Sequence, residues 1–504
     1  MTPLAEYRHA ARPRGRGLLA HRLTGAALGL VATLGPLLAA AAPEPPTPTP
    51  GAATTVIALP PLTPAEQADQ LLADGPKGAL RLGFGRPLPS DQQPGTAPLR
   101  WRPSADGGRV ARLRLTSPGA VGLRAALRVQ GLPDAAQLSV GAPGMTEPRT
   151  LPGALINASL RGDRAASAED APVFWTPLVA GDSLLIAIKL PPGAADPDQV
   201  RLTLPRLTHL VRLPGAPADG AAADKTDPVT DPACRPDLDR PSRASALLLY
   251  TDATGACSGV LVQAADPADG AAANLLGAHH CFNDQPRASS IEAWFHLRAA
   301  SCGGPPLAPA VVSGGADLIG AVKSTDTSLL RLRQPPPAGT TAVEPTADLP
   351  PLGSPVIGVH HPDAGAQRLA IGTVTGHGNC FEANYCGPDA DPAGIHYLLV
   401  SWTRGATNGG SSGSGLFLAN GRLVGVLAGG LGESGEAEEV GGSDDYGRLD
   451  MVGRGGNACS QTDADGGDIA RLENLWRARS ASSRSIVLRR PPATTAPPNL
   501  DFQP

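Results

Sequence analysis

Short apolar runs divided by turn residues recur along most of this chain, and they constrain its fold more than any other feature. Glycine and proline end the runs in segments such as Ser117-Pro118-Gly119 and Pro191-Pro192-Gly193. The 61 Gly and 54 Pro among 504 residues approach the level of disordered chains. The apolar runs are nevertheless regular enough to build cores, so the pattern predicts an all-β protein with long loops between its domains.

Changes in composition divide the chain into six predicted segments. Alternating runs from about Leu99 predict a small antiparallel β-sandwich. Many short strands from about Asp231, with one helix near 468–479, favour a double β-barrel over a parallel α/β sheet. The segments are an export signal peptide at 1–42, a Pro/Ala-rich linker at 43–98, the β-sandwich at 99–213, a second linker at 214–230, the double β-barrel at 231–479 and a disordered tail at 480–504.

Charge and hydropathy exclude several kinds of partner. The formal net charge of −4 gives no basic footprint, so no nucleic-acid partner is expected. A membrane is expected as a partner only if the signal remains uncleaved as an anchor, since no later segment reaches about 18 apolar residues. Export leads to an oxidising compartment, where most of the seven cysteines would be paired and at least one would be left over.

A serine between glycines, within residues 409–417, is the candidate nucleophile. Gly410 and Gly413 allow the backbone to turn tightly and to bring N–H groups close to a substrate carbonyl. Ser412 would then be exposed at the start of an apolar run. Such Gly/Ser clusters are more often plain loops, so this motif needs support from elsewhere in the chain.

Two stretches upstream supply that support. His280 follows an apolar strand and precedes a cysteine, and Asp326 leads into another apolar strand. The order His280, Asp326, Ser412, with gaps of 46 and 86 residues, is the chain order of the chymotrypsin arrangement. Subtilisins and α/β-hydrolases use other orders.

With these residues the chain resembles the trypsin-like serine proteases, and among them the bacterial lysyl endopeptidases. The resemblance covers about residues 230–450 and rests on five segments, at 278–281, 325–332, 360–362, 410–414 and 443–448. It implies a chymotrypsin-like double β-barrel that hydrolyses protein or peptide substrates without a cofactor or metal. The implied roles are nucleophile for Ser412, general base for His280, orienting acid for Asp326, and oxyanion hole for the N–H groups of Gly410 and Ser412.

Neighbouring residues compete for these roles. His279 is the weaker candidate because the family pattern has the catalytic histidine directly before the cysteine. Asp317 lacks the polar approach and the following Leu-Leu strand of Asp326. His360 and His361 have no nearby pattern of Cys, Asp or Glu ligands, which favours structural histidines over a metal site.

Specificity is predicted from a pocket acid. Trypsins carry an aspartate six residues before the nucleophile, where this chain has Ala406. Lysyl endopeptidases carry the acid downstream, and the resemblance makes Asp444 the base of the primary pocket, with a solvated loop acid as the alternative. Cleavage after Lys is expected from the resemblance. Ala428 stands where that family has a pocket histidine, and this smaller wall makes Arg a second possibility.

Activation is predicted to differ from that of chymotrypsin-type zymogens. Those zymogens switch on when a new α-amino group pairs with an aspartate just before the nucleophile, and here that residue is Ser411. We therefore expect activation by removal of a blocking segment. The resemblance makes the β-sandwich a pro-region that acts on its own catalytic domain as inhibitor or folding chaperone, with a substrate- or surface-binding module as the alternative.

Six of the seven cysteines are expected to form three disulfides. The resemblance implies the first two of three disulfides, and proximity in the sequence suggests the third: Cys257–Cys281, Cys234–Cys302 and Cys380–Cys386. Cys459 is left over. The rival function is a catalytically inactive secreted binding protein that keeps the protease fold.

Overall fold

Strands dominate this chain, as its computed structural model shows. The structure describes residues 54–66, 80–88, 99–162, 172–194, 196–215, 230–250, 255–263, 273–381, 385–388, 395–430 and 442–452. Within these ranges no helix has both the length and the apolar character needed to cross a membrane. The predicted signal peptide, the predicted helix at 468–479 and the predicted tail lie outside the described residues.

The N-terminal domain consists of two six-stranded sheets on one shared core. The first sheet contains β1 (Thr54–Ala58), β4 (Arg102–Pro103), β5 (Arg109–Thr116), β7 (Gln137–Gly141), β8 (Arg149–Pro152) and β11 (Ser183–Leu190). The second contains β3 (Gly83–Pro87), β6 (Gly122–Gln130), β9 (Phe174–Trp175), β10 (Val179–Ala180), β12 (Arg201–Thr203) and β13 (Arg206–Leu210). Helix α1 (Gly153–Gly162) follows β8. The sandwich forms because alternate residues, as along β11, are buried.

The sandwich starts earlier in the chain than the sequence indicates. Strand β1 lies inside the segment 43–98 that is predicted as a linker, and so does β3. These strands are short and flanked by proline or glycine, so they show little periodicity of their own. The sandwich is also not wholly antiparallel, because β1 pairs parallel with β5 in the register Thr54↔Arg112.

The first half of the second domain is a curved sheet in the order β18-β17-β14-β15-β16-β20-β19, a half-barrel. Two short helices, α2 (Asp239–Ala244) and α3 (Gln285–Ser289), pack beside it. Its strands are β14 (Ser245–Tyr250), β15 (Gly255–Leu261), β16 (Asn274–Ala278), β17 (Glu292–Phe295), β18 (Ala310–Val312), β19 (Ala316–Val322) and β20 (Thr327–Leu332).

The second half is a closed barrel of six strands in the order β21-β25-β26-β27-β24-β22, closed by the pairing of β22 with β21. A seventh strand, β23, extends β22. The strands are β21 (Pro355–His360), β22 (Arg368–Phe381), β23 (Tyr385–Pro388), β24 (Tyr397–Arg404), β25 (Gly415–Leu418), β26 (Leu423–Gly430) and β27 (Ser443–Arg448). The predicted all-β fold, a double β-barrel preceded by a β-sandwich, is confirmed.

One hydrophobic core joins the two halves of the second domain. Ile357, Phe417 and Val426 of the closed barrel pack in the same buried cluster as Leu275 and Leu329 of the half-barrel. Loops at the ends of strands from both halves therefore meet along a fixed seam. The segments that contain His280, Asp326 and Ser412 all lie at the ends of these strands.

The N-terminal segment also contacts the second domain directly. Strand β2 (Leu80–Arg81) adds to β15, in the register Gly255↔Arg81. Leu80 and Leu82 are buried in a cluster with Leu249 of β14. The chain thus contributes a strand from its N-terminal part to the sheet of the half-barrel.

Candidate active site

The histidine loop is held from both sides. Strand β16 is buried along its whole length and leads into a tight turn in which the N–H of Cys281 donates to the carbonyl of Ala278 at 3.2 Å. A disulfide links Cys281 to Cys257 in the neighbouring strand β15. The loop that contains His280 is therefore attached to both β15 and β16.

Asp326 contacts His280 with both carboxylate oxygens. Oδ2 lies 2.6 Å from Nδ1 of the imidazole, and Oδ1 accepts the backbone N–H of His280 at 2.8 Å. The carbonyl of Asp326 accepts the N–H of His279 at 3.0 Å. This arrangement fixes the tautomer of His280, because a proton on Nδ1 faces the carboxylate and leaves Nε2 as the acceptor.

Asp317, the alternative candidate for the orienting acid, forms an ion pair with an arginine. Asp317 lies on β19 and pairs with Arg333, with 2.8 Å between Oδ1 and Nε. The structure thus brings Asp326, and not Asp317, to the imidazole.

The loop around Ser412 is docked on the half-barrel. The carbonyl of Ser412 accepts the N–H of Ser258 at 2.7 Å. Gly413 has φ of 85°, and a Cβ added there would lie 2.4 Å from the carbonyl oxygen of Ser258 and 2.9 Å from the nitrogen of Ala278. Only glycine fits so close an approach. Ser412 therefore lies next to the end of the strand that leads to His280.

The N–H groups predicted for the oxyanion hole belong to a tight turn. Gly410 has φ of 90°, and its carbonyl accepts the hydroxyl of Ser258 at 2.9 Å. A Cβ at Gly410 would lie 3.0 Å from the carbonyl oxygen of His361. Among the described residues, none accepts a hydrogen bond from the N–H of Gly410 or of Ser412. Both donors can therefore serve a substrate oxygen.

Asp444 is a buried carboxylate and not a solvated loop acid. It is 6% exposed on β27, and its Oδ2 accepts the indole N–H of Trp402 and the hydroxyl of Thr407, both at 2.6 Å. Burial raises its pKa to about 6, and these two hydrogen bonds act in the opposite direction. No arginine, lysine or histidine within the described ranges forms an ion pair with it. A buried carboxylate without a cation is poised to receive one.

Gly430 leaves room beside the second oxygen of this carboxylate. It pairs with Asp444 in the register of β26 and β27, and it is exposed. A Cβ at Gly430 would lie 2.1 Å from Oδ1 of Asp444. Any other residue at this position would press on the oxygen that Trp402 and Thr407 leave unused.

The paired histidines at 360 and 361 are buried and neutral. Nδ1 of His360 lies 2.9 Å from the hydroxyl of Ser411, and Nδ1 of His361 lies 3.0 Å from the carbonyl of Gly365. Burial lowers the pKa of His360 to about 3 and that of His361 to about 4. Their ring contacts are to serine and backbone groups, as structural histidines would make.

Among the described residues, one group has side-chain atoms close enough together to hold a metal ion: Cys257, His280 and Cys281. The two sulfur atoms are bonded to each other, so neither can act as a thiolate ligand. The cluster therefore serves to anchor the histidine loop.

Two of the three expected disulfides are present, Cys257–Cys281 and Cys234–Cys302. Cys380 and Cys386 face each other in the register of β22 and β23, and a bond between them stays a prediction. Cys459 lies outside the described residues.

Several residues of the site give no signal in the sequence. Ser258, Asn408 and Thr407 lie among other serines, threonines and asparagines, and only the fold shows that they contact the catalytic turn or the pocket acid. Trp402 could have been noticed as one of only five tryptophans. Gly430 is part of a Gly-Gly pair whose function depends on its partner strand.

Comparison with known proteins supports the same class of enzyme. Residues 58–211 match the lysyl endopeptidase N-terminal domain, and residues 229–447 match the lysyl endopeptidase C-terminal domain. This chain is a trypsin-like serine endopeptidase. A lysyl endopeptidase of Pseudomonas aeruginosa is 27% identical to the peptidase over 382 residues, which are 71% of this chain and 76% of the relative.

Solved structures with detectable similarity are more distant. Two structures of the HtrA-type protease AlgW with a tripeptide cover 41% and 42% of the peptidase at 18% and 17% identity, with TM-scores of 0.28 and 0.29. The peptidase spans 57% and 58% of their length. The crystal structure of Deg5 covers 43% of the peptidase at 14% identity, with a TM-score of 0.29 and 89% of its own length matched.

Proposed function

We propose that the peptidase is exported and cleaves peptide bonds after lysine or arginine, through an acyl-enzyme on Ser412. The observation that carries this proposal is the 2.6 Å contact between Nδ1 of His280 and Oδ2 of Asp326. It lies beside the turn in which Gly413 packs against Ala278. An oriented imidazole next to a glycine-flanked serine is the arrangement that acyl transfer requires.

In the proposed reaction Ser412 attacks the scissile carbonyl. His280 accepts the hydroxyl proton on Nε2 and later returns it to the leaving amine, while Asp326 holds the ring and stabilises its charged form. The oxyanion is bound by the N–H groups of Gly410 and Ser412, each worth about 3 kcal/mol in the transition state. Water then releases the acyl group by the same steps.

Asp444 supports selection of a basic side chain at the cleavage site. Its charge is buried, and Oδ1 lies beside Gly430, which has no side chain to cover it. A lysine or arginine would supply the missing cation, whereas a neutral side chain would leave the carboxylate unpaired in a dry pocket. The lysyl endopeptidase relative agrees with this assignment by its name.

Covalent labelling tests the catalytic assignment. A fluorophosphonate probe should label the wild-type peptidase at Ser412 and should not label Ser412→Ala. Peptide mapping of the labelled wild type should place the adduct on Ser412 and not on the neighbouring Ser411. Failure of the wild type to label would favour the inactive binding protein instead.

A peptide panel tests the specificity. The wild type should cleave after Lys or Arg with a kcat/KM at least about 100-fold above that for Met or Leu, because an unpaired buried charge costs several kcal/mol. A preference for glutamate or for large apolar residues would remove Asp444 from its proposed role.

Export is supported by sequence and by structure. The basic and then apolar residues 1–42 are typical of a signal, and two disulfides stabilise the catalytic domain. Intact mass and N-terminal sequencing of the active-site-labelled enzyme, from culture medium and from cell fractions, would locate the mature form. Accumulation of full-length active enzyme in the cytosol would contradict export.

The N-terminal domain is proposed to act as a pro-region that assists folding and limits activity. Arg124 of β6 donates to the carbonyl of Ser290 at 2.9 Å and to that of Thr176 at 3.0 Å. In the catalytic domain, Glu292 is fully buried and accepts the N–H of Leu178 at 3.0 Å. These charged groups, together with the pairing of β2 with β15, support a docked pro-region.

A further inference from the structure

The residue before the proposed nucleophile makes an unusual buried contact. The hydroxyl of Ser411 lies 2.9 Å from Nδ1 of His360 and accepts the N–H of Asn408 at 3.1 Å. Ser411 and His360 are both fully buried. Ser411 is thus tied to the end of β21 by its side chain.

The histidine in this contact carries no charge. Burial is the main cause that lowers the pKa of His360 to about 3, and the nearby His361 and Arg368 lower it further. Either direction of the hydrogen bond is open to a neutral imidazole and a hydroxyl. Protonation of His360 therefore does not break the contact near neutral pH.

The remaining attachments of the turn are neutral as well. Ser258 donates its hydroxyl to the carbonyl of Gly410 at 2.9 Å and accepts the N–H of His361 at 3.0 Å. The N–H of Asp363 donates to the carbonyl of Gly409 at 2.7 Å. Among the described residues, no ion pair involves any residue of the turn 409–413.

We propose that the buried hydrogen bond between His360 and Ser411 holds the turn 410–412 in the shape in which its N–H groups can bind the oxyanion. This inference rests on the proposed acyl transfer at Ser412. His360 and Ser411 are positioning residues, since they contact neither substrate nor reacting atoms.

The bond has a consequence for activation. In chymotrypsin-type zymogens the equivalent turn is ordered by an ion pair with a newly formed α-amino group, whereas both partners here belong to the folded domain itself. The turn is thus set without a new chain terminus, and removal of the N-terminal domain has only to uncover it.

Two variants of nearly equal size, each expressed as the full chain and assayed after maturation, test the inference. His360→Leu removes the hydrogen bond, whereas His360→Asn keeps a polar group near the position of Nδ1, which can donate through Nδ2 or accept through Oδ1. Loss of a well-placed oxyanion donor costs about 100-fold or more in kcat. We expect kcat of His360→Leu to fall by about 10–100-fold with KM within about twofold, and His360→Asn to recover most of that loss.

Thr346→Val is the matched control. Thr346 is a buried hydroxyl of the same domain that bonds Asp348, and its N–H donates to the carbonyl of Leu423 and not to the turn, so loss of the hydroxyl should leave kcat unchanged. If His360→Leu does not fold, Ser411→Ala decides instead, because it removes one oxygen and should give the same selective fall in kcat.

The outcomes separate this inference from the proposed function. If the wild type is not labelled by a fluorophosphonate at Ser412, the proposed function fails. If the wild type is labelled, but His360→Leu or Ser411→Ala keeps wild-type kcat, only the positioning inference is overturned. A fall in kcat that His360→Asn does not recover would also overturn it.

Discussion

At Asp326 the backbone takes a left-handed conformation, with φ of 47° at the end of a short turn. Such a conformation costs most residues about 1 kcal/mol or more, and aspartate and asparagine tolerate it best. It directs both carboxylate oxygens to His280 and the backbone carbonyl of Asp326 to the N–H of His279. One strained residue thus positions three groups.

Asp326→Asn should separate folding from catalysis. Asparagine also tolerates a left-handed backbone, so the melting temperature should change little. The amide cannot hold the imidazole in the required tautomer, and kcat should fall by about four orders of magnitude. Asp317→Asn is the control, because that acid pairs with Arg333 and should change kcat less than twofold. A small effect of Asp326→Asn, measured with a chromogenic lysyl substrate, would contradict the assigned role.

The burial of Asp444 lowers the stability of the fold, and the same buried charge is proposed to select basic side chains. Its pKa in the folded protein, about 6, lies above the ordinary aspartate value of 3.8, so ionisation of the buried carboxylate opposes folding. That cost is fully present above pH 6 and disappears as pH falls towards 4. Asp444→Asn should therefore raise the free energy of unfolding at pH 8, by up to about 3 kcal/mol, and lower kcat/KM for basic peptides more than 100-fold.

Asp445→Asn is the matched control for this variant. Adjacent residues of a strand point to opposite faces, so Asp445 does not share the pocket of Asp444. Chemical denaturation and the peptide panel should show neither effect. Unchanged stability of Asp444→Asn would indicate that the pocket is wetter than its burial implies.

Selectivity should depend on pH through the same carboxylate. Protonation of the general base slows cleavage of every substrate, so that effect cancels in the ratio of kcat/KM for Lys and Met peptides. Protonation of Asp444 lowers only the Lys value. We expect the ratio to be constant above pH 7 and to fall about tenfold per pH unit below about pH 6. A ratio that is flat down to pH 4.5 would exclude Asp444 as the pocket base.

At the scale of elements, the two disulfides have separable effects. Cys234–Cys302 closes 68 residues and Cys257–Cys281 closes 24, so loop entropy predicts a loss of stability about 1 kcal/mol larger for the first. The second lies directly beneath the histidine loop. Replacing each pair by alanines should lower the melting temperature more for 234/302 and kcat more for 257/281. The same order in both measurements would contradict this division.

The sequence predicts the elements of this fold unevenly. The runs that become β11, β14 and β20 alternate or are continuously apolar, so the sequence itself indicates them as strands. Strand β22 is the longest and was not predicted, because glycines at 372, 376 and 378 interrupt its pattern. Strand β27 looks like an acidic loop until its partner strands bury Asp444.

The site was predicted to a similar degree. Motif and chain order suffice to nominate His280, Asp326 and Ser412, because each lies next to a recognisable strand or glycine pair. Ser258 and Trp402 depend on contacts between residues more than 40 positions apart. Such contacts leave no local pattern, so only the fold could show them.

At the scale of the whole molecule, the two domains are joined through buried polar groups. Burial lowers the pKa of Arg124, and the nearby charge of Glu292 in the catalytic domain raises it. Apolar packing around Leu80 and Leu82 adds to this contact. Docking of the N-terminal domain should therefore depend strongly on one arginine.

Arg124→Met should weaken docking and lower the yield of active enzyme. Removing Arg124 leaves the buried Glu292 without its nearby cation and leaves two carbonyls without their donor, which should cost several kcal/mol. We expect the number of sites titrated by a fluorophosphonate to fall at least tenfold, with kcat per titrated site unchanged. Arg206→Met is the control, because Arg206 also lies over the ring of Trp175 but is exposed. Equal yields from both variants would contradict a role of the interface in maturation.

The two-residue strand β2 has a consequence for timing. It belongs to the N-terminal part of the chain but forms hydrogen bonds with Gly255 and Ala256, beside the cysteine that anchors the histidine loop. A cut anywhere between Gly215 and Thr230 would sever the polypeptide and leave those bonds intact. Cleavage of the chain and dissociation of its N-terminal part are then separate steps. The slower step sets the delay between synthesis of the peptidase and the start of its activity.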